Sequence, residues 1–325
     1  MSKMISDHQF NFQSTNNDAC FLCGETLSQD ASREHVFPKW LQRKYDLWNM
    51  RLDLLNKTKI RYSSLLVPCC KKCNNEYLSE LESEICKAID GGYDACVLIP
   101  DIQWYLWAGK IFYGILRKEI ALSLDQRCPD KGSILPPEVV ASYESLHLFL
   151  QGIRHNHVFV DDVPFSVLLC NLHGVGAEFD FRDQIYGYTA AFKMGDVGLI
   201  VSFEDGGLSE NPFAGYLGKV NSRSLHPVQF YELFARISYH NNRRLTPCKF
   251  VSHQTGSEGV INTSMISNYS EFREFDGEEL ASRINFHLEG WFEPGDVISY
   301  APPDRVGTLL TKQDGRPYLL PLEEW

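Results

Sequence analysis

The sequence predicts an α+β protein, on three observations. Residues 97–124 and 138–154 carry apolar side chains at helical spacing. Between residues 156 and 204, short β-branched and aromatic runs are cut by Asp-Asp, Gly and Asp-Gly turn signals, the pattern of an antiparallel meander. Five of the ten cysteines fall at Cys20, Cys23, Cys69, Cys70 and Cys73 and include two Cys-x-x-Cys pairs, which mark a small metal-stapled region ahead of a larger body. A chain of 325 residues, 44% hydrophobic and 22% charged, is globular rather than disordered or low-complexity. The expected division is a small domain over residues 1–90 and a mixed α+β domain over 91–325, with Gly91-Gly92 as the joint.

Taken in order, residues 1–19 read as a polar, poorly ordered leader, and 20–90 hold the cysteine pairs and a basic stretch. Ile102, Tyr105, Leu106, Ile111, Ile115 and Leu116 place one long helix or two within 97–124. Trp104, Tyr105, Trp107 and Tyr113 form an aromatic stripe there, expected to be core. Pro129 to Pro137 is turn-rich, and Glu138 to Arg154 reads as a further helix. Strands are expected over Val158–Val160, Phe165–Cys170, Tyr186–Phe192 and Gly198–Phe203, then a loop over 206–218. A helix over His226–Arg243 starts with Pro227 in its first turn. Strands near Val297–Tyr300 and Val306–Leu310 complete the larger domain.

Net charge is −11, which argues against a generally basic nucleic-acid coat. The charge is uneven, however. Arg33, Lys39, Arg43, Lys44, Arg51, Lys57, Lys59, Arg61, Lys71 and Lys72 face only Glu34, Asp46 and Asp53 between residues 33 and 72. That segment suits either a phosphate-neutralising surface or a solvated, lysine-rich loop. No apolar run reaches the ~18 residues that span a bilayer, and the polar start of the chain has no apolar signal segment. A cytoplasmic protein is the expectation.

In such a compartment clustered cysteines point to metal rather than disulfides. Cys20-x-x-Cys23-Gly24 and Cys70-x-x-Cys73 have matching spacing, and two intervening residues let both thiolates reach one tetrahedral ion. Cys69 is an alternative to Cys70. A zinc ion held by four thiolates has no open position, so it is structural. Chemistry must come from the insert over residues 24–69 or from the helix after the second pair. Glu34-His35 lies in a strand-like context closed by Pro38, and Asn74 opens a helix whose inner face carries Leu78, Leu81 and Ile85. His35 is a candidate base or a core histidine, and Asn74 a candidate ligand or a helix cap. Lys71 and Lys72 would contact phosphate or offset the charge of the thiolates.

This layout resembles the HNH endonucleases, the zinc-supported members of the ββα-metal nucleases. The run Glu34-His35-Val36-Phe37-Pro38-Lys39-Trp40-Leu41 with Cys70-Lys71-Lys72-Cys73-Asn74-Asn75 is similar to a subgroup of small bacterial HNH proteins, over residues 18–90. The resemblance implies a small N-terminal ββα-metal zinc domain that hydrolyses phosphodiester bonds of DNA, with RNA as another substrate. It implies His35 as general base, Glu34 and Asn74 as ligands of a catalytic Mg²⁺ or Mn²⁺, and Cys20, Cys23, Cys70 and Cys73 as the structural zinc tetrad. Arg33, Lys39, Lys71 and Lys72 would contact nucleic acid, and a role in defence against phage or foreign DNA is implied by analogy. The acid is Glu where Asp is commoner, and the middle Asn of the pattern has only Asn56, Ser63 or Ser64 as counterparts. Adjacent Glu34 and His35 would also leave a regular strand on opposite faces. Residues 91–325 would regulate, sense or bind a protein partner, including a second copy. From another class, the alternative is a catalytically silent zinc-knuckle module that binds nucleic acid or protein.

Overall fold

The computed structural model describes residues 3–4, 18–28, 31–160, 162–207, 224–246, 248–255, 260–267, 271–292, 297–303, 305–312, 316, 318 and 320. Most of the expected leader, and the expected loop beyond residue 207, lie outside the described residues. The protein is mixed α+β. In chain order its elements begin with β1 (Lys3–Met4), β2 (Ser32–His35), α1 (Lys39–Lys44), β3 (Arg51–Asp53), β4 (Lys59–Arg61) and β5 (Leu66–Cys69). A π-wound turn (Cys73–Leu78) leads into α2 (Ser79–Asp90), followed by α3 (Tyr93–Cys96), α4 (Asp101–Ile120), α5 (Pro137–Ala141) and α6 (Glu144–Phe149). Then come β6 (His157–Phe159), β7 (Ser166–Asn171), β8 (Phe179–Gln184), β9 (Thr189–Met194), β10 (Val197–Ser202) and α7 (Pro227–Asn242). The last are β11 (Lys249–Thr255), β12 (Val260–Ser267), α8 (Gly277–Leu288), β13 (Tyr300–Ala301) and β14 (Arg305–Val306).

The chain forms two compact units. The first comprises Met1–Asp90, Pro100–Asp161 and Phe250–Ser264, and the second Gly91–Ile99, Asp162–Lys249 and Met265–Trp325. This corrects the expected division at residues 90 and 91. The chain does leave the first unit there, but it returns at Pro100. The physical reason is α4, which is buried on nearly every side and needs a complete shell. Trp104, Tyr105, Trp107, Ile111, Phe112 and Leu116 are all buried in the first unit. Each such side chain contributes about 1.5–3 kcal/mol by leaving water. The aromatic stripe is therefore core, as expected. At Gly114 a Cβ would lie 3.0 and 3.1 Å from the two γ-methyls of Val36, so a larger residue here would press on the end of β2.

The expected single helix over 138–154 is instead α5, α6 and a 3₁₀ turn at Leu150–Ile153. The expected meander holds for its later strands, in the second unit, but Val158–Val160 does not join it: β6 pairs parallel with β12 in another sheet of the first unit. β8, β9 and β10 run antiparallel in succession, and β7 pairs with the free side of β10, giving the order β7-β10-β9-β8. Both sides of β9 and β10 are buried. α7 packs on this sheet and against α8 through Phe230, Phe234 and Ile284. α7 begins as expected, with Pro227 in its first turn and the His226 side chain accepting from the Val228 amide.

Candidate functional site

The site is built on two strands and a helix of the first unit. β2 and β5 pair antiparallel, with Ser32 opposite Cys69, Glu34 opposite Val67 and His35 opposite Leu66. β5 runs directly into the second cysteine pair and the turn that opens α2. The first pair sits on a tight loop closed by Cys20 N–H to the Glu25 carbonyl (2.9 Å) and Gly24 N–H to the Cys20 carbonyl (2.9 Å). Gly24 has φ of 73°, a conformation glycine tolerates. The Phe21 amide bonds to the Pro68 carbonyl at 2.9 Å and ties this loop to β5. From another segment, the buried Gln151 amide donates to the Leu22 carbonyl at 2.7 Å.

These bonds bring Cys20, Cys23, Cys70 and Cys73 together, with their sulfurs all within 4.8 Å of one another. Cys23 and Cys70 are 3.9 Å apart. Thiolates around zinc at about 2.3 Å sit about 3.8 Å apart, so the donor set fits such an ion. Cys73 N–H points at the Cys70 sulfur at 3.4 Å, the stabilising contact of a knuckle. Cys70 thus completes the tetrad. Cys69 lies on β5 and is a fifth thiol, 3.9 Å from Cys20. The crowding holds Cys20 far below the usual thiol range, because Cys23, Cys69 and Cys73 all hydrogen-bond to its sulfur. It pushes Cys69 and Cys73 above that range and Cys23 up to about 12. A bound cation relieves this repulsion by stabilising all four thiolates at once.

Asn74 reaches from the π-wound turn onto β2. Its Nδ2 donates to Ser32 Oγ (3.0 Å) and to the Arg33 carbonyl (3.4 Å), which leaves Oδ1 as the acceptor end of the amide. The side chain therefore donates across to a strand and does not cap the helix, where it would accept from backbone amides. His35 is half-buried. Its Nδ1 lies 3.4 Å from Gln42 Nε2, which also donates to the Phe37 carbonyl at 2.7 Å. The Trp48 ring is tilted against the imidazole at 5.7 Å between centroids. Burial, followed by the positive charge of Lys39, holds the imidazole pKa below its ordinary value. The ring is accordingly neutral at pH 7.

Glu34 departs from the expectation. It leaves β2 on the face opposite His35, and its carboxylate is buried against Lys110 at 2.6 Å. The expected role of Glu34 as ligand of a catalytic Mg²⁺ or Mn²⁺ beside Asn74 is corrected on this ground. Strand alternation sends it inward, and a buried ammonium already satisfies it. Among the described residues the four cysteines are the one cluster of three or more His, Cys, Asp or Glu that could hold a metal ion. Asn56 is not a site residue either, since it closes a turn by bonding Thr58 N–H and the Leu124 carbonyl.

Arg33, Lys39, Lys71 and Lys72 are exposed. Lys72 lies over the Tyr77 ring at 5.6 Å. Sequence reasoning missed Lys110, Glu82, Gln42 and Trp48. Only Lys110 carried a signal, as a cation in the middle of the apolar run of α4, which must find a counter-charge. In the second unit, among the described residues, no constellation of comparable chemistry was expected, and His157 in the first is held by Thr263 Oγ1 at 2.8 Å. The chain matches no family model, no curated protein and no solved structure. No helix among the described residues is long and apolar enough to cross a membrane.

Proposed function

We propose that residues 18–90, supported by α4, form an HNH-type ββα nuclease module that hydrolyses phosphodiester bonds of DNA or RNA. The observation that supports this reading is the hydrogen bonding of Asn74, on the turn that opens α2, to Ser32 and Arg33 of β2, the strand that also bears the half-buried His35. The order strand, strand, helix, closed by four cysteines, is the one the resemblance implies. The exposed cations Arg33, Lys39, Lys71 and Lys72 surround this region of an otherwise acidic chain. His35 takes the proton of an attacking water as the new P–O bond forms and the bond to the leaving oxygen breaks. A base of this kind contributes roughly 10²–10⁴-fold in rate. The expected pair of oxygen ligands for Mg²⁺ or Mn²⁺ does not fit this site, because Glu34 is engaged by Lys110. The reading rests on His35 and not on that ion.

That same engagement of Glu34 favours a second reading, a catalytically silent zinc module that binds nucleic acid or protein. A supercoiled-plasmid nicking assay with Mg²⁺, Mn²⁺ or neither decides between them. The nuclease reading expects nicking by the wild type and loss of at least a hundredfold in His35→Ala. Wild type without activity under every ion, or His35→Ala as active as wild type, leaves the silent module.

A further inference from the structure

The ribbon that follows Trp48, whose ring tilts against His35, has no part in the proposed hydrolysis. β3 and β4 pair with Arg51 directly opposite Arg61, Leu52 opposite Ile60 and Asp53 opposite Lys59. Side chains alternate along a strand, so Arg51, Asp53, Lys59 and Arg61 share one face while Leu52 and Ile60 take the other. All four residues of the charged face are exposed. Like charges directly opposite each other destabilise a ribbon. Asp53 is the sole acid between residues 51 and 61, and it lies 3.7 Å from Lys59. The arginine pair therefore faces solvent as a concentrated positive charge that an anion would stabilise.

The ribbon is also held in place. At its tip the Leu55 amide donates to the buried Glu119 carboxylate (2.9 Å), and Asn56 Nδ2 donates to the Leu124 carbonyl (2.9 Å). At its base the Tyr62 amide bonds to the Met50 carbonyl at 3.1 Å, and Tyr62 packs edge-on against Phe37 at 4.8 Å. Just before β3, Trp48 is 41% exposed and Met50 54% exposed. Trp48 is the residue whose ring tilts against His35. An indole so open to water, three residues ahead of a fixed ribbon that carries exposed cations, is the combination by which proteins hold unpaired nucleotides. The cations take the backbone and the ring takes a base. Bases inside a duplex are already stacked on one another and offer the ring no face.

We infer that Trp48 and the Arg51–Arg61 pair form a track for single-stranded nucleic acid that leads to His35. The guanidiniums bind successive phosphates, and the indole stacks on an unpaired base next to the imidazole. The direction toward His35 rests on the nuclease reading, whereas the binding itself does not.

The test is fluorescence anisotropy of the zinc-loaded full chain with labelled single-stranded DNA, single-stranded RNA and duplex DNA, without added divalent ion. Wild type should prefer a single strand to the duplex. Trp48→Ala should weaken single-strand binding about tenfold, and Trp48→Phe should keep most of it. Arg51→Ala with Arg61→Ala should lower the slope of log affinity against log salt by about 1.4, or ~0.7 for each lost phosphate contact. Single-strand binding by a wild type that nicks under none of the ions of the plasmid assay retires the nuclease reading and leaves the track standing. Conversely, nicking by the wild type combined with unchanged binding in Trp48→Ala and in the double arginine variant overturns the track alone. Absence of single-strand binding by the wild type, or equal affinity for duplex, also overturns it.

Discussion

Lys110 Nζ lies 2.6 Å from the carboxylate of Glu34, and its side chain is 1% exposed. The same ammonium reaches Glu82 at 2.7 Å and the carbonyls of His35 and Val36 at 2.9 and 3.1 Å. One cation from α4 thus fixes the end of β2, from Glu34 through Val36, and with it the backbone that carries the candidate base. Two carboxylates offset its burial and keep it charged. Glu34, facing the ammonium, belongs to this internal cluster and leaves β2 on the face opposite His35.

The cluster makes stability depend on pH through Glu82. Burial pushes this carboxyl up to about 7, with the attraction of Lys110 opposing and the charge of Glu34 adding to the shift. In the unfolded chain it titrates near about 4.3. The native state therefore binds its proton more tightly. That contribution is complete below the unfolded value and is lost as pH rises toward 7, after which it is flat. Denaturant unfolding at pH 5 and pH 8 should show the wild type losing about 2 kcal/mol relative to Glu82→Gln over this interval. The cysteine cluster tilts both proteins alike, so the difference isolates Glu82. Parallel pH dependence in the two proteins would refute the assignment.

What could be read from the sequence was local. Two Cys-x-x-Cys pairs carry their geometry in their spacing, and the α+β class, the meander around β9 and β10, α4 and α7 are legible in periodicity over short windows. The failures are long-range. Glu34 finds its partner 76 residues away, so nothing next to it shows that its charge is already matched. The matched Cys-x-x-Cys spacing, by contrast, suffices to favour Cys70 over the adjacent Cys69. The single helix expected over 138–154 breaks near Tyr143, where α6 starts. β8, β11, β12 and α8 went unread because their faces are completed by distant elements.

The cysteine assignment predicts different fates for neighbours. Cys70→Ser should lose bound zinc and fold poorly, since the ion's binding energy is folding energy. Cys69→Ser should retain one zinc per chain and stay soluble, because its sulfur lies outside the tetrad. Metal content measured on freshly purified protein separates them. If Cys69→Ser loses the ion and Cys70→Ser keeps it, the tetrad is drawn wrongly.

Gln42 should set how His35 titrates. It is fully buried, and its amide is turned by the Phe37 carbonyl so that an N–H faces Nδ1. A protonated imidazole would present its own N–H to that donor, so the contact favours the neutral ring, in the same sense as burial and Lys39. The His35 resonance in an NMR titration, identified among the ten histidines by its loss in His35→Ala, should move below the usual 6.5 in the wild type. In Gln42→Leu it should rise by a fraction of a unit. Hydrolysis, if His35 is the base, should track the same change, with an acid limb that lies below about 6.5 in the wild type and moves upward in the variant. Gln42→Leu also leaves the Phe37 carbonyl without its partner, at a cost of about 1–3 kcal/mol in stability. A merely structural role for Gln42 would therefore lower the unfolding midpoint while leaving the His35 titration where it was, and that outcome would reject the positioning role.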